Sequence, residues 1–157
     1  MAFDVHDLTQ SIVSSRAWFF KHLRGLNDEQ WIWKPYPECK SIRETLQHMI
    51  TNDRAAIEAL KTGHEPNYDE LRVHEADITK LMQMLERSHH DLVDSIRDNF
   101  DGKPLDTEVS IWGFKLKLGR GIPYYSSEDF FHAGQVAFIR MATDPSWDYY
   151  EEIYGSD

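Results

Sequence analysis

The stretch Ser126-Ser127-Glu128-Asp129-Phe130-Phe131-His132-Ala133-Gly134-Gln135-Val136-Ala137-Phe138-Ile139-Arg140 decides the fold. Residues 130 to 139 carry no formal charge and are apolar on nearly every side of a helical projection. A helix of that composition belongs inside a bundle. Its polar side chains then need partners, because an unpaired buried polar group is costly. Glu128 and His132 stand four residues apart on one face, and Gln135 and Ile139 continue it. A carboxylate and an imidazole projecting together into a core point to a metal or proton-transfer site. Ser126 or Ser127 is the expected N-cap, and the helix runs to about Thr143, with Pro145 helping to end it.

Three more helices are expected upstream. The first runs from Asp4 to about Arg24, with Leu8, Ile12, Phe19 and Leu23 on or near one stripe and Gly25 as its stop. Residues 27 to 40 form a connector in which Pro35 and Pro37 fix the backbone among Trp31, Trp33 and Tyr36. Such aromatics, and Trp112 later, more often cover a core than form a cofactor box, though they can line a pocket mouth. The second helix begins at Ser41, whose Ser-x-x-Glu pattern with Glu44 is a capping box. Ile42, Leu46, Met49, Ile57 and Leu60 make its stripe, and Gly63 ends it. The third spans about Tyr68 to Phe100, because Leu71, Ile78, Leu85 and Leu92 recur every seven residues. Asp101-Gly102-Lys103-Pro104 breaks it.

Between that break and the fourth helix, Phe114-Lys115-Leu116-Lys117-Leu118 alternates apolar and basic, which predicts a short strand or extended loop. The aromatic tail from Trp147 to Tyr154 packs back on the bundle. The expected architecture is therefore all-α: a four-helix bundle, with a long crossover containing a short extended or β segment before the fourth helix. The chain, 157 residues long, suits a single domain over residues 1–157.

Composition narrows the function. Seventeen basic residues stand against 27 acidic ones, a net charge of −10 with His neutral. Phosphate contacts need clustered Lys and Arg, and Lys115, Lys117 and Arg120 form the only compact basic group, so no nucleic-acid partner is expected. No stretch approaches the ~20 apolar residues of a membrane span, and the N-terminus lacks an apolar signal core, so no membrane partner is expected. Cys39 is the only cysteine, which forbids an internal disulfide and fits a reducing cytoplasm.

His48 lies off the centre of the second-helix stripe, beside Thr45, Asn52, Ala55 and Ala59, small neighbours that let another helix come close. If it meets His132 across the core, Glu128 supplies a third ligand. Two histidines and one carboxylate with open positions suit a catalytic divalent metal, whether zinc, nickel, manganese or iron.

The residues also carry a resemblance. Ser41-Ile-Arg-Glu-Thr-Leu-Gln-His48, preceded by Trp33-Lys-Pro35, resembles the second-helix entry of the DinB/YfiT-like family, whose members are assigned as metal-dependent enzymes. His132-Ala-Gly-Gln135-Val-Ala-Phe-Ile-Arg140 resembles that family's fourth-helix motif. The resemblance implies a four-helix bundle, often a homodimer, with a metal held by three histidines. His48 and His132 match two of these, while Glu128 occupies the position of the third. It also implies metal-dependent S-transfer with a low-molecular-weight thiol, or hydrolysis, on a small-molecule substrate. The alternative is a catalytically inactive DinB-like dimeric binding or scaffold protein with a degenerate site, in which Glu128 is only a first-turn acid, as Asp129 beside it reads.

Gln135 is a candidate behind the ligands. Asp53, inside an apolar stripe, reads as an ion-paired core acid, with a role behind the ligands as the alternative. Arg140 and Arg43 read as helix-end or surface charges that could instead anchor a substrate carboxylate. Cys39 reads as packing rather than a nucleophile. His89, near the third-helix stripe, is a reserve ligand. No catalytic residue is distinguished.

Overall fold

Helices form where the chain supplies a cap, an apolar stripe and a stop. The computed structural model describes residues 3–155, so residues 1, 2, 156 and 157 of the expected domain lie outside the described residues. Helix α1 (Val5–Lys21) starts at Asp4, which exchanges capping bonds with Asp7. A short α2 (Asp28–Ile32), capped by Asn27 and Gln30, interrupts the expected connector. Helix α3 (Ile42–Thr62) begins at the predicted capping box of Ser41 and Glu44. It ends at Gly63, whose φ of 75° lies in the left-handed region that glycine enters without strain.

The expected third helix is broken. Residues 68 to 71 form α4 (Tyr68–Leu71), residues 72 to 77 are extended, and α5 (Ile78–Phe100) begins anew with Asp77 accepting from the Lys80 N–H. Side chains of α3 hold the extended piece: Gln47 donates to the Glu75 carbonyl, and Thr51 Oγ1 accepts from the Val73 N–H. The seven-residue repeat is helical only from Ile78 onward.

Strands β1 (Glu108–Ile111) and β2 (Phe114–Lys117) form an antiparallel hairpin, pairing Glu108 with Lys117 and Ile111 with Phe114. Only the second had a signal in the sequence. Trp112 and Gly113 make the two-residue turn with φ of 48° and 78°, the mirror-image geometry that matches strand twist. Contacts with the Tyr124 and Tyr125 rings hold Trp112 in that conformation. Helix α6 (Leu118–Gly121) leads into α7 (Tyr124–Thr143), and α8 (Tyr149–Tyr154) follows.

Two expectations for α7 need correction. Neither Ser126 nor Ser127 caps it: the chain enters from α6 through Ile122 and Pro123, whose carbonyls accept the first amides. Nor is it apolar because it is buried all round. Phe130, Phe131 and Phe138 remain 52%, 63% and 54% exposed.

The bundle consists of α1, α3, α5 and α7. Helix α3 packs mainly on α5, α1 lies against α5 and α7, and α3 meets α7. The core divides in two. Near the hairpin, Leu8, Ile12, Leu92, Ile96, Val109 and Ile122 pack together. At the other end are Phe19, Leu46, Met49, Leu81, Leu85 and Val136. Between them every long helix contributes a polar residue: Ser15 and Arg16, Asp53, Ser88 and His89, and Asp129, all buried. The tail packs back as expected, with Trp147 and Ile153 buried against Ala137. Among the described residues, no helix is long and apolar enough to cross a membrane.

Candidate metal centre

Contact between α3 and α7 brings two helical i, i+4 pairs face to face: His48 and Asn52 on one, Glu128 and His132 on the other. His132 Nε2 lies 3.3 Å from Glu128 Oε2, and His48 Nε2 lies 3.8 Å from the same oxygen. One ligand atom from each residue falls within 4.8 Å of the others. The imidazoles meet edge to face, 5.2 Å between centroids. Ligands about 2.0–2.1 Å from a tetrahedral ion are roughly 3.3–3.4 Å apart, so the set fits a divalent metal after a small closure of His48.

The hydrogen bonds fix which nitrogens are free. His132 Nδ1 lies 2.7 Å from Gln135 Oε1, an acceptor, so Nδ1 carries the proton. Its Nε2 then directs a lone pair toward a carboxylate, and two acceptors in contact require a cation or a proton between them. Asn52 Nδ2 donates to Glu128 Oε2 at 3.0 Å and lies 3.1 Å from His48 Nε2, which must accept. Both imidazoles thus present Nε2 to the carboxylate.

Electrostatics favour the ligand forms of His48 and Glu128. Burial pushes the His48 pKa below its ordinary value, helped by the neighbouring His132 and Lys40 and opposed by Glu128. Burial works to raise the Glu128 carboxyl, but the neighbouring His132, the Asn52 hydrogen bond and the neighbouring His48 outweigh it and hold it low.

The centre is open on one side. The His132 side chain is 4% exposed, whereas those of His48 and Glu128 are 34% and 28% exposed. A cavity of about 640 Å³ reaches all three, walled by Tyr36, Phe131, Phe138 and Ile139. A second, of about 650 Å³, is lined by Lys34, Gln47, Asn52, Arg72 and His74. Glu38, Cys39, Lys40 and His48 border both.

Of the other sequence candidates, only Gln135 joins the centre. Asp53 is the ion-paired core acid: its carboxylate takes Arg16 Nη1 and Nη2, each at 3.1 Å, and Ser88 Oγ at 2.7 Å. Arg140 is buried away from both cavities. It donates to the His22 and Arg24 carbonyls, closing the end of α1, and stacks over the Trp147 ring. Arg43 lines neither cavity. His89 stands in the buried polar layer between the two halves of the core, the waist of the bundle, outside the cluster, and among the described residues neither of its nitrogens is hydrogen-bonded. Reading Asp129 as a first-turn acid was wrong: it is fully buried, with Oδ1 2.6 Å from Arg16 Nε and Oδ2 2.6 Å from Ser15 Oγ. Asn52 and Arg16 were missed. Spacing of four from His48 was a signal for Asn52; nothing local marked Arg16.

A His–Glu–His cluster between facing helices, open to a cavity, defines a four-helix-bundle protein with a candidate divalent-metal site. The chain matches the DinB superfamily over residues 12–136, a span that contains all three ligand positions, and it belongs to that superfamily. A DinB-like protein from Bacillus subtilis, known from a crystal structure, shares the fold with a TM-score of 0.62. That likeness covers 91% of this chain and 96% of the other, at 18% sequence identity. No curated protein matches the chain.

Proposed function

We propose that this protein binds one divalent metal through His48, Glu128 and His132 and uses it to act on a small molecule. Convergence of three ligand atoms beside a cavity, with the His132 tautomer set by Gln135, carries this reading. Glu128 in place of a third histidine makes the donor set harder, which suits zinc, nickel, manganese or iron. An ion there would lower the pKa of a bound thiol or water. Gln135 and Asn52 would hold His132 and Glu128 in place, and Phe131 and Phe138 would screen the reacting groups from water.

The reaction is thiol S-transfer or hydrolysis. In the first, a low-molecular-weight thiol loses its proton, its sulfur bonds to an electrophilic carbon, and the leaving group departs with the electron pair. In the second, water replaces the thiol. We further propose a homodimer in the cytoplasm, where Cys39 stays reduced, without nucleic-acid partners. The test is metal analysis of protein purified without chelator or nickel resin. Stoichiometric metal, lost on replacing His48, Glu128 and His132 together, is expected. Metal-free protein whose melting temperature ignores added Zn²⁺, Ni²⁺, Mn²⁺ and Fe²⁺ would overturn it.

One observation favours a second reading. Asn52 already donates to Glu128 Oε2, and a proton in place of a metal between that oxygen and His132 Nε2 would close the cluster on itself as a hydrogen-bonded set. The protein would then be an inactive binding or scaffold protein, and the triple replacement would leave its stability unchanged or raised.

A further inference from the structure

We propose that the two cavities beside the metal centre form one continuous site for an amphipathic carboxylate. Its anionic head is held by Lys40 and Arg72, and its apolar tail lies among Tyr36, Phe131 and Phe138. This names a substrate class for the metal site proposed above and relies on that site for the reaction.

The two cavities differ in character. Pro35, Tyr36, Phe131, Phe138 and Ile139 wall the first, whose charged residues are Glu38, Glu128 and Lys40. An anion placed there meets two carboxylates against one ammonium, whereas the aromatic wall suits an apolar group. Tyr36, Phe131 and Phe138 are 66%, 63% and 54% exposed, so apolar surface stands uncovered beside the cluster.

The second cavity sets Lys34, Lys40 and Arg72 against Glu38 and Glu44. Lys34 lies 2.7 Å from Glu44, and the two cancel. Among the described residues Lys40 has no hydrogen bond or ion pair, and Arg72 bonds only Asp69, through Nη2 at 2.6 Å. That contact leaves Arg72 Nε and Nη1 to donate to a ligand oxygen. Glu38 opposes an anion there, and Lys40 and Arg72 attract one. All three face solvent, so the net preference for a negative head is about tenfold.

The wall that carries Arg72 is held from the metal side. Gln47 and Thr51, which flank His48 on α3, tie down the extended backbone of residues 72–77 through Glu75 and Val73. The break in the expected third helix thereby sets Arg72 and His74 across the cavity from His48 and Asn52. Glu38, Cys39, Lys40 and His48 border both cavities. A carboxylate at Lys40 therefore stands at the shared edge, with Arg72 on one side and the aromatic wall and three candidate ligands on the other.

The probes are octanoate, N-octanoylglycine and octanol, titrated calorimetrically into the full chain, both metal-free and zinc-loaded. The tighter acid shows whether a fatty acid or an acylated amino acid fits the site better. At least one acid should bind about tenfold more tightly than octanol, with or without metal. Arg72→Gln combined with Lys40→Gln should abolish that preference. Octanol binding and the melting temperature should not change, because both side chains are exposed. Phe138→Ser should weaken acid and octanol together. No binding by either acid, octanol binding as tightly as both acids, or a preference that the double variant keeps would overturn the proposal. A preference confined to zinc-loaded protein would put the carboxylate on the metal and overturn it as well. Acid binding that Phe138→Ser leaves intact would overturn the aromatic tail site. A chain that takes up no metal but keeps the preference would sink the metal reading and leave this site standing.

Discussion

Glu128 and Asp129 are adjacent carboxylates on one helix, and they live in opposite environments. Asp129 points into the bundle and is sealed: Arg16 and Ser15 take its two oxygens, and no water reaches it. Glu128, turned about 100° away by the helical step, lies at the cavity edge among two imidazoles and an amide. Sealed charges must be neutralised by permanent partners, since solvent cannot help. A half-open carboxylate keeps exchangeable partners, which a ligand site needs. The waist is therefore a buried polar layer of permanent pairs, and the cluster beside it is the half-open one.

Breaking the waist should have the largest effect. Burial works against the Arg16 guanidinium, but Asp53 and Asp129 outweigh it and hold its pKa above the ordinary value. Removing Arg16 leaves two buried carboxylates within reach of each other. Arg16→Met should cost about 3–5 kcal/mol in urea unfolding at pH 7. That corresponds to a fall of about 10 °C or more in Tm for a chain this size. Adding Asp53→Leu and Asp129→Leu should restore most of the loss, because an apolar layer of similar volume needs no counter-charge. A triple variant as unstable as Arg16→Met would show that packing, not charge, dominates there.

The same kind of deletion in the cluster should read out differently. His48→Ala removes a one-third-exposed side chain, so apo stability should move by less than about 1 kcal/mol. Metal affinity should fall roughly 100-fold or more, since even groups behind the ligands are worth 10–100-fold. Calorimetric titration with Zn²⁺ or Mn²⁺ measures this. Unchanged affinity would remove His48 from the ligand set.

What was legible in the sequence follows the same division. The α3 capping box, the Gly63 stop and the face shared by Glu128, His132 and Gln135 are local, so spacing revealed them. His48 was placed opposite that face by the family resemblance, since its small neighbours say only that another helix can come close. Of the waist only Asp53 was legible, as an acid inside an apolar stripe; its partner Arg16 and the neighbouring Asp129 belong to other helices, and no local pattern links the three. The break at residues 72–77 escaped for a similar reason: its backbone is held by Gln47 and Thr51 of α3. The exposed side of α7 was read as buried because an uncharged helix looks alike whether it faces a core or a missing neighbour.

His89 tests the waist through pH. Burial, with the charge of Arg16 nearby, lowers its pKa from 6.5 to about 3. Its stabilising contribution is present above the unfolded-state value and lost as pH falls toward 3, since the unfolded chain takes up the proton first. Between pH 7 and pH 5 the loss should be about 2 kcal/mol. His89→Leu should flatten that part of the stability profile while leaving metal affinity at pH 7 unchanged. An equally steep acid limb in the variant would mean that other groups carry it.

Gln135 should give the smallest effect and the sharpest separation. Its side chain is exposed and, among the described residues, bonds only His132 Nδ1, so Gln135→Leu should change stability by less than about 0.5 kcal/mol. Without that acceptor the imidazole can rotate or hold its proton on Nε2, where a metal must bind. Affinity should fall about tenfold, or about 1.4 kcal/mol. Gln135→Glu supplies the same acceptor with a charge and should restore it. If Gln135→Leu binds as tightly as the parent, the 2.7 Å bond is surface decoration. If it melts much earlier, Gln135 belongs with the structural polar groups of the waist, and the boundary drawn between Glu128 and Asp129 falls in the wrong place.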